Sequence, residues 1–229
     1  MQLIHHPMSA ASRFVRLLVS EYDIEPDLYE ERPWERRAEF MQINPAGTLP
    51  VLVDHTGAPI IGAYAIAEFV DETTGAMHRG HRLMPDNPIG RAEVRRLIDW
   101  FLVKAEADVT RGLVRERVFK LQMPAGNGGG APDSAVLRAA RANIRQHMRY
   151  VGWLSQARDW LAGDVLTSAD LAGAATISVL DYLGEIDWTA EPAARDWYQR
   201  IKSRPAFRDI LGDRVRGLPP ASHYADLDF

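Results

Sequence analysis

The chain has 229 residues, of which 46% are hydrophobic and 25% charged, and its formal net charge is −4. This balance is typical of an ordinary globular protein and argues against a dedicated nucleic-acid binder, which would carry a clear basic excess. The absence of cysteine excludes disulfides, thiolate catalysis and Cys-ligated metal sites. No apolar run is long enough to span a membrane, so we expect a cytoplasmic protein of one or two domains.

The first part of the chain alternates short strands with helices. Gln2 to His5 is a short apolar stretch that predicts a strand, and apolar residues at helical spacing after Ser9 predict a helix. The order continues with a strand at 27–30, a short helix within 33–43, strands at 51–53 and 59–61, and a helix at 64–73. A turn at 54–57 joins the last two strands as a hairpin.

The second part is helical throughout. Periodic segments cover 89–122, 133–161, 167–183 and 192–202, and a Gly-rich stretch at 123–132 joins the first two. We therefore predict an α/β domain at 1–76, a linker at 77–88, an all-helical domain at 89–212 and an extended C-terminal tail at 213–229.

Four segments together carry a family resemblance. They are Pro7-Met8-Ser9 with the helix start that follows, the turn and strand at 44–52, the helix at 65–71, and the capping-box sequence Thr167-Ser168-Ala169-Asp170. In this order and spacing they resemble the glutathione-transferase superfamily over nearly the whole chain. The resemblance implies a thioredoxin-like N-terminal domain of βαβαββα order, an all-α C-terminal domain, and a cis proline at Pro50.

The same resemblance defines a glutathione site that is only partly present. It implies that Ser9 activates the glutathione thiol and that the backbone of Leu49-Pro50 holds the cysteinyl moiety, although Ser9 is equally well explained as a helix N-cap. An acid-Ser pair, which grips the γ-glutamyl group in the family, is replaced by Gly62-Ala63. Hydrogen bonds to charged groups contribute roughly 1.5–3 kcal/mol each, so losing two or three weakens binding by about 10²–10⁴-fold. We therefore expect no cofactor, and glutathione only if the chain is an enzyme.

Two groups of side chains are candidates for partner binding. Basic residues recur along the two long helices, where a solvated surface is the alternative explanation: Arg111, Arg115 and Lys120 on the first, and Arg138, Arg141 and Arg145 on the second. Trp34 lies in the weakly helical segment beside the expected cleft, where an exposed aromatic suits a binding hot spot. By contrast, Trp100, Trp153, Trp160 and Tyr182 are expected in the core because they lie on apolar helical faces.

The tail combines aromatic, apolar and acidic residues: Tyr224, Asp226, Leu227, Asp228 and Phe229. Disordered tails seldom carry Tyr, Leu and Phe this close together. Two explanations remain open and are compatible. The tail either contacts a partner directly or docks back on the protein, across the groove between the domains.

The reduced glutathione site, the Gly-rich loop and this tail together resemble the FtsZ-binding, cell-division members of the superfamily. The resemblance implies a non-enzymatic homodimer that binds filaments of the tubulin-like FtsZ at the division site, bundles or curves them, and regulates constriction. The alternative is a glutathione transferase that uses Ser9. The histidines show no metal-ligand spacing, so no metal site is expected.

Overall fold

A computed structural model describes residues 1–78 and 80–229 of the chain. Its N-terminal part contains a mixed four-stranded sheet in the order β2-β1-β3-β4. The strands are β1 Gln2–His5, β2 Asp27–Glu30, β3 Val51–Val53 and β4 Pro59–Ile61. β1 pairs in parallel with β2 and antiparallel with β3, which pairs antiparallel with β4.

Three helices accompany the sheet: α1 Ala10–Glu21, α2 Ala38–Ile43 and α3 Ala63–Thr73. The periodic apolar residues of α1, including Phe14, are buried against the rest of the fold. The single helix predicted within 33–43 is in fact a 3₁₀ turn, Pro33–Glu35, followed by α2. Arg36 separates the 3₁₀ turn from α2, because this residue adopts a left-handed conformation with φ of 46°.

The C-terminal part is helical. The long helix α4 covers residues 88–122, and three π-helical segments, Trp100–Lys104, Glu106–Thr110 and Arg115–Phe119, interrupt its α-helical turns. The remaining helices are α5 Ser134–Ala157, α6 Ser168–Tyr182, α7 Pro192–Lys202 and α8 Arg208–Gly212. α5 thus ends before the predicted limit near Leu161, and 3₁₀ turns occupy Gly75–Met77, Ala125–Asn127 and Pro205–Phe207.

The core is centred on α6, every residue of which is buried, and α6 packs against α1 of the N-terminal part. Its first turn forms the predicted capping box. Asp170 accepts the Thr167 N–H at 3.0 Å, and the Thr167 hydroxyl accepts the Ala169 N–H at 3.3 Å. The other Asp170 oxygen accepts from the Trp197 indole at 3.1 Å, so this cap also ties α6 to α7.

The sheet with its helices and the helical part that follows confirm the predicted fold class. One core assignment is wrong: Tyr182 is buried, but Trp153 is 60% exposed because it lies on the outer face of α5. No helix in the described part of the chain is long and apolar enough to cross a membrane. Arg79, which falls in the predicted linker, lies outside the described residues.

Candidate functional site

A cleft of about 440 Å³ lies between the N-terminal part and the middle of α4. The residues that line it from the N-terminal part are His6, Met8, Ser9, Pro33, Gly47, Thr48 and Leu49. Those from α4 are Glu106, Thr110, Arg111, Val114, Arg115 and Phe119. All of these α4 residues except Arg111 and Val114 belong to π-helical segments, which commonly mark functional sites in helices.

Ser9 is placed for both of the roles that the sequence suggests for it. It is the N-cap of α1, where its Oγ accepts the Ser12 N–H at 3.2 Å, and it also lines the cleft. A hydroxyl that accepts one hydrogen bond still has its proton to donate. Ser9 can therefore cap α1 and donate to a group bound in the cleft at the same time.

The backbone at Leu49 is the second feature of the cleft. The Leu49–Pro50 peptide bond is cis, as the family resemblance implies. The carbonyl of Thr48 accepts from the Asn44 side chain at 2.8 Å, and the carbonyl of Pro50 accepts the Gly62 N–H at 3.0 Å. Between them, the N–H and C=O of Leu49 have no hydrogen-bond partner within the described ranges. They are free to pair with an extended ligand.

Gly62 and Ala63 lie at the start of α3 and present no polar side chain. Gly62 has φ of 92°, and a Cβ added there would meet nothing within 4 Å. The N-terminus of α3 has no side-chain cap. The fold therefore has space for a larger side chain at Gly62, but neither residue supplies a carboxylate or a hydroxyl, and neither is among the residues that line the cleft.

Three aromatic rings form a cluster at one side of the cleft. The ring centroids of Trp34 and Phe119 are 4.5 Å apart, and His6 lies 5.7 Å from Trp34 and 5.1 Å from Phe119. Trp34 is half-buried in this cluster, so only part of its side chain is accessible to a ligand or partner. Sequence reasoning missed His6 and Phe119, because nothing in the local pattern shows that they meet.

His6 is neutral in this environment. Burial, and then the charges of His5, Arg13 and Arg32, lower its pKa to about 3. Its Nδ1 accepts the Met8 N–H at 3.1 Å, so the neutral ring carries its proton on Nε2. His6 therefore fixes the loop that leads to Ser9 and adds no positive charge to the cleft.

The predicted basic residues divide between two places. Arg111 and Arg115 line the cleft, and Arg111 is 70% exposed with Glu106 at 3.9 Å. Lys120, further along α4, forms an ion pair with Glu116 at 2.5 Å. The rim of the cleft is therefore basic and solvent-accessible.

The basic residues of α5 lie elsewhere. Arg141 and Arg145 line a separate groove of about 600 Å³, and Arg138, also exposed, lies one turn before them. Arg141 is bound to Glu185 at 2.7 Å, and Asp187 lines the same groove as Arg145. This surface therefore carries charges of both signs, and its arginines remain candidates for partner binding, with a solvated surface as the alternative.

The tail, residues 213–229, docks on the protein instead of extending from it. Tyr224 is fully buried, donates its hydroxyl proton to the Ile210 carbonyl at 3.0 Å, and accepts from Arg13 at 3.1 Å. The His223 ring lies 2.9 Å from Asp181, and the Phe229 ring lies 4.1 Å from the Lys202 ammonium. Tyr224 therefore cannot anchor a partner, which corrects that candidate.

The end of the docked tail remains accessible. We use "tail tip" for Asp226, Leu227 and Asp228, all of which are exposed. Phe229 is half-buried against Trp188, with ring centroids 4.8 Å apart. None of the tail residues that the structure describes lines the cleft. Tyr224 contacts both Arg13 of the N-terminal part and Ile210 of the helical part, so the tail docks back on the protein between these two parts, as one of the two explanations predicts. Among the described residues, no cluster of His, Asp and Glu has the geometry of a metal site.

Comparison with known proteins agrees with this architecture. Family models described as the glutathione S-transferase N-terminal and C-terminal domains match residues 8–73 and 115–205. FtsZ-localized protein A of Caulobacter vibrioides is 43% identical over 232 residues, covering 99% of this chain and 97% of that protein.

Solved structures also match the full chain, among them the following two. A glutathione S-transferase from Sinorhizobium meliloti has a TM-score of 0.98 and 62% identity, covering 100% of this chain and 99% of that one. FzlA from C. crescentus has a TM-score of 0.90 and 41% identity, with the same coverage. From its sheet, its helical domain and these matches, the chain belongs to the glutathione S-transferase superfamily.

Proposed function

We propose that this protein binds filaments of FtsZ, bundles or curves them, and thereby regulates constriction at the division site. The observation that carries the proposal is the similarity to FtsZ-localized protein A, 43% identical along nearly the whole of both chains. A likeness of this extent includes the tail as well as the common fold.

The cleft supports a role other than glutathione transfer. Gly62 and Ala63 offer no side chain to the γ-glutamyl ammonium and carboxylate, which lose charge-assisted hydrogen bonds of about 1.5–3 kcal/mol each. The apolar and aromatic wall around Trp34 and Phe119 remains, and so does the basic rim at Arg111 and Arg115. These are the features that a protein ligand with an acidic and apolar surface would use.

We propose three contact regions for the filament. The first is the cleft side, with Trp34, Arg111, Arg115 and Lys120. The second is the tail tip, where Leu227 is 40% exposed between the exposed carboxylates of Asp226 and Asp228. The third region, which we favour less, comprises Arg138, Arg141 and Arg145. Arg141 is already bound to Glu185 and is therefore less available to a partner.

Cross-linking of filaments requires two binding sites, and an aromatic surface supports a homodimer. Trp153 is 60% exposed and stacks on Tyr150 with centroids 6.1 Å apart, and Tyr150 lies 4.4 Å from Trp100. An exposed aromatic surface of this kind is typical of protein interfaces. We propose that a second copy covers it, so that each dimer presents two filament-binding surfaces and gains avidity.

Co-sedimentation with FtsZ polymers tests the proposal. The purified chain should enter the pellet with polymer assembled in GTP, and it should stay in the supernatant when GTP is replaced by GDP. Electron microscopy of the same samples should show bundled or curved filaments. A chain that remains in the supernatant over intact polymer excludes the proposal.

A glutathione transferase that uses Ser9 is the second candidate function. It is supported by the Ser9 hydroxyl in the cleft and by the free N–H and C=O of Leu49. Calorimetry with millimolar glutathione tests it. Saturable binding, with turnover of a model electrophile that Ser9→Ala abolishes, would establish the enzyme.

A further inference from the structure

The outer edge of β2 has backbone groups without partners. Asp27 donates its N–H to the Met1 carbonyl at 3.0 Å, and Glu31 donates to the His5 carbonyl at 2.8 Å. Because successive residues of a strand direct their backbone groups to opposite sides, the N–H and C=O of Leu28 and Glu30 face away from β1. β2 is the last strand on this side of the sheet, and within residues 1–78 and 80–229 nothing pairs with that edge.

A groove of about 360 Å³ adjoins this edge. Its apolar lining comes from α1, the loop before β2, β2 itself and the 205–212 segment: Val19, Ile24, Pro26, Leu28, Ala206 and Ile210. Leu28 is 46% exposed along the groove. A strand added beside β2 would carry its alternate side chains on this face, over the groove.

The charges at this edge are acidic. Glu25 and Asp209 line the groove, Asp27 and Glu30 lie on β2, and all four are exposed without an ion-pair partner in the described residues. Among the residues that the structure describes, Arg16 is the one cation that lines the groove, and Asp213 neutralises it at 2.7 Å. An incoming strand with basic side chains would therefore be favoured.

The same charges disfavour a second copy of this chain. In an antiparallel pair of two β2 edges, outward-facing residues lie opposite each other, so the register centred on Glu30 brings two Glu30 carboxylates together and the register centred on Tyr29 places Asp27 opposite Glu31. Like charges directly opposite each other destabilise a strand pair. Charged residues at a sheet edge are a common device against self-association. The acidic edge of β2 therefore disfavours pairing with a second copy of this chain, but it can still pair with a segment of opposite charge.

We propose that the free edge of β2 and its groove form a docking site for an extended, basic segment of a partner protein. The segment adds a strand beside β2, bonds to Leu28 and Glu30, and places an apolar side chain in the groove. This site is separate from the cleft and independent of filament binding.

A synthetic strand tests the site. The probe is fluorescein-labelled Lys-Val-Lys-Val-Lys-Val amide, titrated with the full chain by fluorescence anisotropy. Binding is expected with a Kd below ~1 mM, and the matched Glu-Val-Glu-Val-Glu-Val peptide should bind at least about tenfold more weakly. Failure of the basic peptide to bind, or equal binding of the two peptides, overturns the proposal.

Two controls distinguish strand pairing from charge attraction. Glu30→Ala removes only the carboxylate. Glu30→Pro removes the carboxylate and also the outward N–H, and edge strands tolerate a proline. The proline variant should bind the probe about fivefold more weakly than the alanine variant, which corresponds to one hydrogen bond. Equal affinities contradict the proposal.

The second control leaves the protein unchanged. N-methylation of the three valines, or of the three lysines, removes alternate N–H groups of the peptide, and one of these two peptides should lose binding. Retention of full affinity by both peptides would contradict strand pairing at the β2 edge. Self-association of the protein through this edge would also contradict the proposal. It would be seen as a particle mass that is lower for Glu30→Pro than for the parent protein.

Discussion

Arg13 and Tyr224 are separated by 211 positions in the chain, yet the guanidinium of Arg13 donates to the Tyr224 hydroxyl at 3.1 Å. Arg13 is fully buried and also donates to the Pro7 carbonyl at 2.6 Å and to the Ser178 hydroxyl at 2.8 Å. Through this one side chain, the loop that leads to Ser9 is joined to α6 and to the tail. The tail is therefore a structural part of the fold.

Removal of the Tyr224 hydroxyl should destabilise the protein. Tyr224→Phe leaves a buried Arg13 N–H without its acceptor and removes one of the two hydrogen bonds to the Ile210 carbonyl, at a cost of about 1–3 kcal/mol. Urea unfolding measures the change. The matched variant Tyr29→Phe alters a residue that is 53% exposed, and it should stay within about 0.5 kcal/mol of the parent. Equal stability of the two variants would contradict this role.

The tail tip should affect filament binding without affecting the fold. Asp226→Lys with Asp228→Lys reverses two exposed charges, so co-sedimentation with FtsZ should weaken by about tenfold while the melting temperature stays unchanged. Asp164→Lys, another exposed acid, is the control and should bind as the parent does. Loss of binding in the control alone would contradict the assignment.

Restoring the missing side chains should restore glutathione affinity. Gly62→Glu with Ala63→Ser should strengthen binding by about tenfold or more, because each regained charge-assisted bond contributes roughly 1.5–3 kcal/mol. Part of the gain is offset, since a glutamate at φ of 92° costs on the order of 1–3 kcal/mol. Titration calorimetry measures the gain, with Ala63→Ser alone as the comparison. No gain in the double variant would show that Gly62-Ala63 is not what limits binding.

Acid should destabilise the protein through its two adjacent buried histidines. Burial is the main cause that lowers the pKa of His5 to about 4 and that of His6 to about 3. Because the folded state holds both rings neutral, their contribution is complete above the ordinary pKa and is lost as the pH falls from about 6.5 towards 4. Each ring should lower the unfolding free energy by about 1.4 kcal/mol per pH unit in this window.

Urea unfolding at a series of pH values checks this dependence. His6→Asn should remove about half of the histidine contribution to the pH dependence of the unfolding free energy. The double variant with His5→Asn should remove most of that contribution. An unchanged slope in the double variant would show that other groups cause the acid sensitivity.

The exposed aromatic surface should hold the dimer together. Trp153→Glu places a charge in the proposed interface, so the mass measured by light scattering after size exclusion should fall to half. Trp153→Phe keeps an aromatic side chain there and should preserve the larger mass. A parent protein that is already a monomer contradicts the proposed dimer.

Local sequence predicts much of this fold, because some features depend only on neighbouring residues. The capping box at Thr167 and Asp170 is one example, and the turn at Pro50 is another. The loss of polar side chains at Gly62-Ala63 is likewise read directly from the chain. In each case a few adjacent residues contain all the chemistry that matters.

Long-range contacts explain the errors. An aromatic residue that docks on its own protein and one that binds a partner look the same in sequence, so Tyr224 could not be assigned without knowing where Arg13 lies. The meeting of Phe119 with Trp34 depends on the π-helical segments of α4. Such segments rotate the following side chains relative to a regular helix, and regular periodicity does not show them.

The docking of the tail also has a consequence for synthesis of the chain. While residues 213–229 are still inside the ribosome, Arg13 lacks both Tyr224 and Asp213, which lies 3.7 Å from its guanidinium in the finished fold. A nascent chain at that stage lacks the carboxylate and the hydroxyl that face this cation in the finished core, so the Pro7 loop that Arg13 contacts is held by fewer bonds. The full set of contacts behind the candidate site near the N-terminus therefore forms only after residues more than two hundred codons downstream have been translated.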